Sequence, residues 1–314
     1  MGDILKDGVD RRGMLECMGW AGTGALFTLS GGLATSVALE GAQAAYGTGK
    51  QIGLNFLQIS DTHIGFKKPA NPDVIGTLKE TIAKVKALPV QPDFIVHTGD
   101  ITHLATPEQF DTAQQLLSEL NLPIHFIPGE HDILDLTNAQ PYLDRFGKGT
   151  KGSVWYSFDA KGVHFIALIN VLALANKGMG SLGAEQLAWL KDDVAHLSSS
   201  TPIVLLSHFP LWPLFTEWGW GTADGPQALA LLKRFASVTA LNGHIHQIQR
   251  KVEGHMMFHS ARSTAYPQPA PGVGPGPGPL VVPSEQLRSY IGISTLEVTT
   301  SVAPIAITDA PIAA

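Results

Sequence analysis

Ile124-His125-Phe126-Ile127-Pro128-Gly129-Glu130-His131-Asp132 sets a short apolar run before a Pro-Gly turn, then three side chains able to hold metal or move protons. A run this short, closed by turn residues, reads as a short strand. The same construction recurs. Residues 52–60 alternate apolar and polar and lead into Asp61-Thr62-His63. Residues 93–97 form a short buried run between Pro92 and Gly99 and lead to Asp100. Residues 203–207 lead to His208, and 238–241 lead to Asn242-Gly243-His244-Ile245-His246. Each of these predicted strands ends in a carboxylate or an imidazole. Ligands in open α/β sheets bind beyond the carboxyl ends of the strands, so these residues are expected on one rim. The glycines beside Asp100, Glu130 and His244 are expected to permit sharp turns out of the sheet.

The intervening segments supply the other layers. Helical spacing of apolar residues predicts helices over 73–88, stopped by Pro89, and over 107–120, with Pro in the first turn. Two more are expected over 184–197 and 227–235. Residues 154–158 and 163–169 bracket a turn as a hairpin, and 249–259 form another around Glu253-Gly254. Strands alternate with helices first and antiparallel pairs follow, which predicts a layered α/β domain with a mixed sheet. The Pro- and Gly-rich run 267–279 is expected to be a loop, and 291–314, rich in Val, Ile and Thr, to return as strands to a sheet edge.

Composition limits the chemistry. Of 314 residues, 44% are hydrophobic and 15% charged, which suits a large core and argues against global disorder. The net charge of −6 comes with no basic block, so no nucleic-acid partner is expected. One cysteine, Cys17, excludes zinc ribbons and disulfide frameworks, so a metal must be held by histidines, of which there are 12, and carboxylates.

Residues 1–45 read as an export signal that is removed, leaving 46–314 as a single domain. Arg11-Arg12 precedes an apolar, Gly- and Ala-rich stretch that ends at Ala42-Gln43-Ala44-Ala45, a small-residue cleavage pattern. The paired arginines resemble a twin-arginine signal, although Glu16 stands where Lys is common. This implies the twin-arginine export machinery as a partner and a periplasmic location. An uncleaved anchor or a buried helix is the competing reading. A mature chain without cysteine is compatible with an oxidising compartment.

Taken in order, Asp61/His63, Gly99-Asp100, Gly129-Glu130-His131-Asp132, His208 and Gly243-His244-Ile245-His246 carry a further resemblance. They are similar to the Asp-x-His, Gly-Asp, Gly-Asn-His-Asp/Glu, His and Gly-His-x-His signature of the calcineurin-like metallophosphoesterases. The resemblance spans roughly 54–260 and is nearest the cyclic-nucleotide phosphodiesterase branch. It implies an αββα sandwich with mixed sheets and a dinuclear site. Asp61, His63 and His246 would bind one metal, Asp100 would bridge, and His208, His244 and Glu130 would bind the second. His131 would face the substrate, steadying a phosphoryl oxygen or protonating the leaving group. The two ions would be divalent or mixed-valence Fe, Mn or Zn, with a metal-bound hydroxide as nucleophile. The implied substrate is a small phosphoester, more a diester than a monoester. Glu130 departs from the usual Asn, adding a negative charge and a methylene, so substrate class and second-metal occupancy turn on it. A phosphomonoesterase, a pyrophosphohydrolase or a non-catalytic metal-binding scaffold are the alternatives.

Other residues are weighed by position. Asp132 is expected to orient His131 or cap its turn. His97, His103, His125 and His164 have no motif support and read as structural or surface residues, with His103 near enough to Asp100 to line the cleft; His259 stays open. Trp212, Trp218 and Trp220 read as a loop packed on the core, against a stacking lid as the sharper alternative. Lys67, Lys68 and Arg262 are the candidates for a cationic clamp on a dianionic group.

Overall fold

Alternation along the buried strands decides how the layers stack. Phe165 and Ala167 enter one apolar cluster, and Ile166 and Leu168 enter another. Val204 and Leu206 side with the first pair, Ile203 and Leu205 with the second. Successive side chains on a strand point to opposite faces, so this sheet is buried on both. A computed structural model describes residues 25–30, 33–38, 51–133, 139–150, 154–300 and 305–313. The chain falls into two units, 1–50 and 51–314. In the first, β1 (Ala25–Ser30) and β2 (Leu33–Ala38) pair antiparallel. The rest of the expected export signal lies outside the described residues. Among the described residues no helix is long and apolar enough to cross a membrane.

The second unit contains two mixed sheets. Strands β3 (Gln51–Ile59), β4 (Phe94–Thr98) and β5 (Ile124–Ile127) are parallel neighbours. The β6 (Tyr156–Ala160) and β7 (Val163–Ala167) hairpin continues through β8 (Ile203–Ser207) and β9 (Val238–Asn242) in parallel. The second hairpin, β10 (Gln249–Glu253) and β11 (Met256–Ser260), completes a six-stranded sheet of order β10-β11-β9-β8-β7-β6. At the C-terminus β12 (Gly292–Thr300) and β13 (Ala306–Pro311) join the first sheet in the order β13-β12-β3-β4-β5. The returning strands are thus as expected, except that only β13 is the edge; β12 lies inside, paired antiparallel with β3.

The sheets meet through aromatic rings. Phe56 and Phe94 of one sheet stand edge-on to Phe165 of the other, with centroids 5.2 and 5.3 Å away. Full burial of each such ring contributes about 1.5–3 kcal/mol. On the outer face of the first sheet lie α1 (Val74–Lys86) and α2 (Pro107–Ser118), through Leu78, Ile82, Phe110 and Leu117. Leu190 of α4 (Gly183–Val194) and Ala228 of α5 (Gly225–Leu231) cover the second; α3 (Gln140–Phe146) packs beside α2. The architecture is an αββα sandwich. Asp73, read as the first helical residue, is instead the N-cap, accepting from the Gly76 amide at 2.8 Å.

One polar clasp ties the two sheets at an edge. Asp309 on β13 accepts from Ser294 at 2.6 Å, lies 3.0 Å from Nε2 of buried His259, and pairs with Arg250. Burial pushes the Asp309 carboxyl up, but these partners outweigh it and hold it at about 2. A carboxyl depressed on folding contributes stability above its unfolded pKa, lost as pH falls through the folded value. Asp309→Asn is therefore expected to lower stability at pH 7 by about 1–2 kcal/mol, with the difference from wild type shrinking between pH 4 and 2. Urea melts across that range check it; a pH-independent difference would contradict the clasp.

Candidate metal centre

The expected rim forms at the carboxyl ends of β3, β4, β5, β8 and β9, and the side chains on it sort into two groups. Asp61, His63, Asp100 and His246 bring one ligand atom each within 4.8 Å of one another, and so do Glu130, His208 and His244. In the first group His63 Nε2 lies 3.2 Å from His246 Nε2 and 3.4 Å from Asp100 Oδ2, and His246 Nε2 lies 3.2 Å from Asp61 Oδ1. In the second, Glu130 spans two imidazoles, with Oε2 2.8 Å from His208 Nε2 and Oε1 2.9 Å from His244 Nδ1. Asp100 Oδ2 also stands 3.3 Å from His208 Nε2, so one carboxylate oxygen faces both groups.

Backbone strain produces this convergence. Asp61, His63, Asp100, His244 and His246 all have positive φ, between 42° and 67°. Non-glycine residues seldom occupy that region, and such strain gathers at functional sites. The glycines act differently from expectation. Only Gly99 has a positive φ, +94°. A Cβ on Gly129 would meet Asp100 Oδ1 at 2.0 Å, and one on Gly243 would meet Ser60 Oγ at 2.1 Å. These two leave room for neighbouring side chains, while the turns are made by the functional residues themselves.

The site fits bound cations on two counts. Asp61 Oδ2, Glu130 Oε2, His208 Nε2 and His244 Nδ1 are buried without a hydrogen bond, although the Glu130 carboxylate faces both rings. Buried polar atoms are normally satisfied, so orphaned ones at a point of convergence call for a partner. The electrostatics ask for positive charge. Burial opposes ionisation of Glu130, yet His244 and His208 hold its carboxyl well below the usual range. Burial likewise disfavours charge on His208, but Asp100 and Glu130 win and raise it well above the ordinary value. His63 differs: burial and the imidazoles of His246, His131 and His103 hold it well below, so it is neutral, as a ligand must be.

Outer partners orient these rings. His208 Nδ1 donates to the Thr98 carbonyl at 2.7 Å and His246 Nδ1 to the Tyr266 carbonyl at 2.6 Å, which leaves each Nε2 for the site. His131 sits beside both groups, its backbone N–H donating to Asp100 Oδ1 at 3.0 Å and its Nδ1 to the His103 carbonyl at 2.8 Å. Burial lowers His131, but Asp100 and Glu130 outweigh it and raise its pKa. Asp132 accepts from the Gly129, Ile101 and Thr102 amides and the Thr102 hydroxyl at 2.8–3.0 Å, stapling the loop after β5 to the loop after β4. It supports the loop that carries His131.

Several readings are corrected here. His103 is no bystander: it touches His63 and His131. Trp220 is fully buried and Trp212 packs in the core, as expected of a core-packed loop, so neither serves as a stacking lid. Arg262 is bonded to the Ser289 carbonyl and so supplies no clamp. His97 is buried beside Thr62, His125 stacks on Phe158, and His164 bridges Asp159 and Asp193, each structural as expected. The Pro/Gly loop does reach the site. Gln268 donates to the His244 carbonyl at 2.8 Å, and the Leu280 amide closes the loop on the Pro267 carbonyl at 2.8 Å. Tyr266 and Thr98 were missed because a backbone carbonyl leaves no mark in residue type.

The fold and this two-part centre define a metallophosphoesterase. The calcineurin-like phosphoesterase family model matches residues 54–248, and the chain belongs to that family. It is 28% identical over 198 residues to the glycerophosphodiester phosphodiesterase GpdQ of Enterobacter lignolyticus, covering 60% of this chain and 70% of that one. It is 25% identical over 223 residues to a 3',5'-cyclic-nucleotide phosphodiesterase of Nostoc, covering 69% and 80%. A dimetal phosphatase from Danio rerio shares the fold with a TM-score of 0.56 at 14% identity, covering 82% of this chain and 99% of that one. The protein is a hydrolase of phosphoesters, and its His and carboxylate clusters fit a dinuclear centre.

Proposed function

We propose that the enzyme hydrolyses small phosphodiesters, with Asp61, His63 and His246 holding one metal, His208, His244 and Glu130 the other, and Asp100 between them. The observation that carries the diester preference is charge. The two groups include three carboxylates, Asp61, Asp100 and Glu130. Every arginine among the described residues is committed elsewhere: Arg145 to Asp111, Arg234 to the Leu197 carbonyl, Arg250 to Asp309, Arg262 to the Ser289 carbonyl and Arg288 to Glu80. Lys67 and Lys68 are exposed. A diester bears one negative charge where a monoester bears up to two, and a carboxylate-rich site without a guanidinium clamp disfavours the second. The names of the two curated relatives point the same way.

Metals held by these residues would supply Lewis acidity, neutralising charge on the phosphoryl oxygens and making a water easier to deprotonate. The choice among Fe, Mn and Zn follows from mixed imidazole and carboxylate ligands. The protein's own part is to hold seven ligands, five of them on strained turns, to keep His63 neutral and to present a protonatable His131 beside Asp100. Turnover of bis(4-nitrophenyl) phosphate against 4-nitrophenyl phosphate tests the preference. A kcat/KM at least about tenfold higher for the diester is expected, corresponding to about 1.4 kcal/mol; equal or reversed values would sink it.

We further propose that residues 1–45 are a twin-arginine export address and that the enzyme works in the periplasm. Arg11-Arg12 and Ala42-Gln43-Ala44 support this. Changing both arginines to lysine should leave the protein in the cytoplasmic fraction; unchanged fractionation would refute it.

A further inference from the structure

Three imidazoles meet at the edge of the first metal group. His103 Nδ1 lies 3.4 Å from His63 Nδ1. Its ring rests on that of His131, with centroids 4.7 Å apart and 19° between planes. Its carbonyl accepts from His131 Nδ1 at 2.8 Å. The backbone of His103 is itself held, because Gln109 Oε1 accepts from the amides of His103 and Leu104 at 3.2 and 2.8 Å.

Tautomers follow from these contacts. His63 Nε2 is turned toward His246 and Asp100, at 3.2 and 3.4 Å. A ring that offers Nε2 to a metal keeps its proton on Nδ1 and donates it to an acceptor. The acceptor in reach of His63 is His103 Nδ1, so His103 is neutral with its own proton on Nε2. His208 and His246 use backbone carbonyls for this purpose, which any residue could provide. Of these three rings, His63 alone depends on the identity of a side chain.

We infer that His103 is a positioning residue: it sets the tautomer of His63 through its ring and the orientation of His131 through its carbonyl and stacking face. A metal position and the substrate-facing imidazole are thereby fixed by one residue. The inference rests on the proposed metal assignment and deepens it.

Zinc titration of the full-length apo-protein against a chromophoric chelator tests it without turnover. His103→Phe keeps the ring face and the carbonyl and removes the acceptor; zinc affinity should fall about 10–100-fold. His103→Asn can present an oxygen near the position of Nδ1 and should recover most of that loss. With a diester substrate, His103→Phe should lower kcat while KM stays within about twofold, as for an interaction not used in ground-state binding. Equal zinc affinity in wild type and His103→Phe, or equal loss in the Phe and Asn variants, would overturn the inference. A nitrogen-15 imidazole spectrum of zinc-loaded wild type needs no variant: a proton on His63 Nδ1 supports it, and one on Nε2 overturns it. If wild type binds zinc but hydrolyses neither aryl ester, the proposed function falls while these readouts still decide the role of His103.

Discussion

Asp100→Ala should abolish measurable phosphodiester turnover, a loss of at least about 10³-fold, or about 4 kcal/mol of transition-state stabilisation. The reason is where its oxygens lie. Oδ2 stands 3.4 Å from His63 Nε2 and 3.3 Å from His208 Nε2, so it faces both proposed metal groups, while Oδ1 receives the His131 amide at 3.0 Å. If Asp100 bridges as proposed, removing the carboxylate takes one ligand from each group, and it frees the loop that carries His131. Asp100 is also the first of the two carboxylates that raise the pKa of His208, so its removal weakens the electrostatic tie between the two groups. Bound metal should fall together with activity, and a thermal melt separates this from unfolding. Ala is preferred to Asn because an amide oxygen could still ligate. An Asp100→Ala protein that folds, keeps its metals and turns over diester would show that the two groups do not share this residue.

The second large effect is expected at His131, and it should separate catalysis from metal binding. His131→Ala should lower kcat by about 10²–10⁴-fold, the usual range for a lost general acid, with metal content unchanged. The side chain is placed for that role and not for ligation. Its Nδ1 is engaged by the His103 carbonyl, and the ring stands edge-on to His63 at 4.9 Å. The competing geometry is real, since His131 can also be grouped with Asp100 and Glu130 or with His63 and His103. Metal analysis of His131→Ala decides between them: loss of an ion would make His131 a ligand. A scaffold without catalysis would show no change in turnover because there would be none to lose.

The cluster was legible in sequence because its members are side chains at strand ends. Asp61, Asp100, Glu130, His208, His244 and His246 each follow a short apolar run, and the pattern of five such ends sufficed to place them on one rim. The two-sheet sandwich was only partly legible. Strands buried on both faces, such as β7 and β8, lack the polar alternation that would say which side meets the other sheet. The helix over α1 was readable from spacing, but its start was not, since Asp73 caps by a side-chain contact. His103 was misjudged for a different reason. Its importance lies in a tertiary meeting with His63, forty positions away, and in a carbonyl that any residue carries. The glycines show the same limit, because the space Gly129 leaves is defined by Asp100, which sequence does not place.

Glu130 is the residue on which the account leans hardest. Its two oxygens reach His208 and His244, so the second group is built around a carboxylate where the signature that the sequence resembles has an amide. A charged ligand there should hold its ion more firmly, since it adds a full negative charge at ligand distance. The most direct measurement is the number of metal ions retained per chain after gel filtration of purified wild-type protein in chelator-treated buffer. The account predicts close to two, drawn from Fe, Mn or Zn. One ion, or none even after incubation with those metals, would contradict a dinuclear centre and leave only the fold standing.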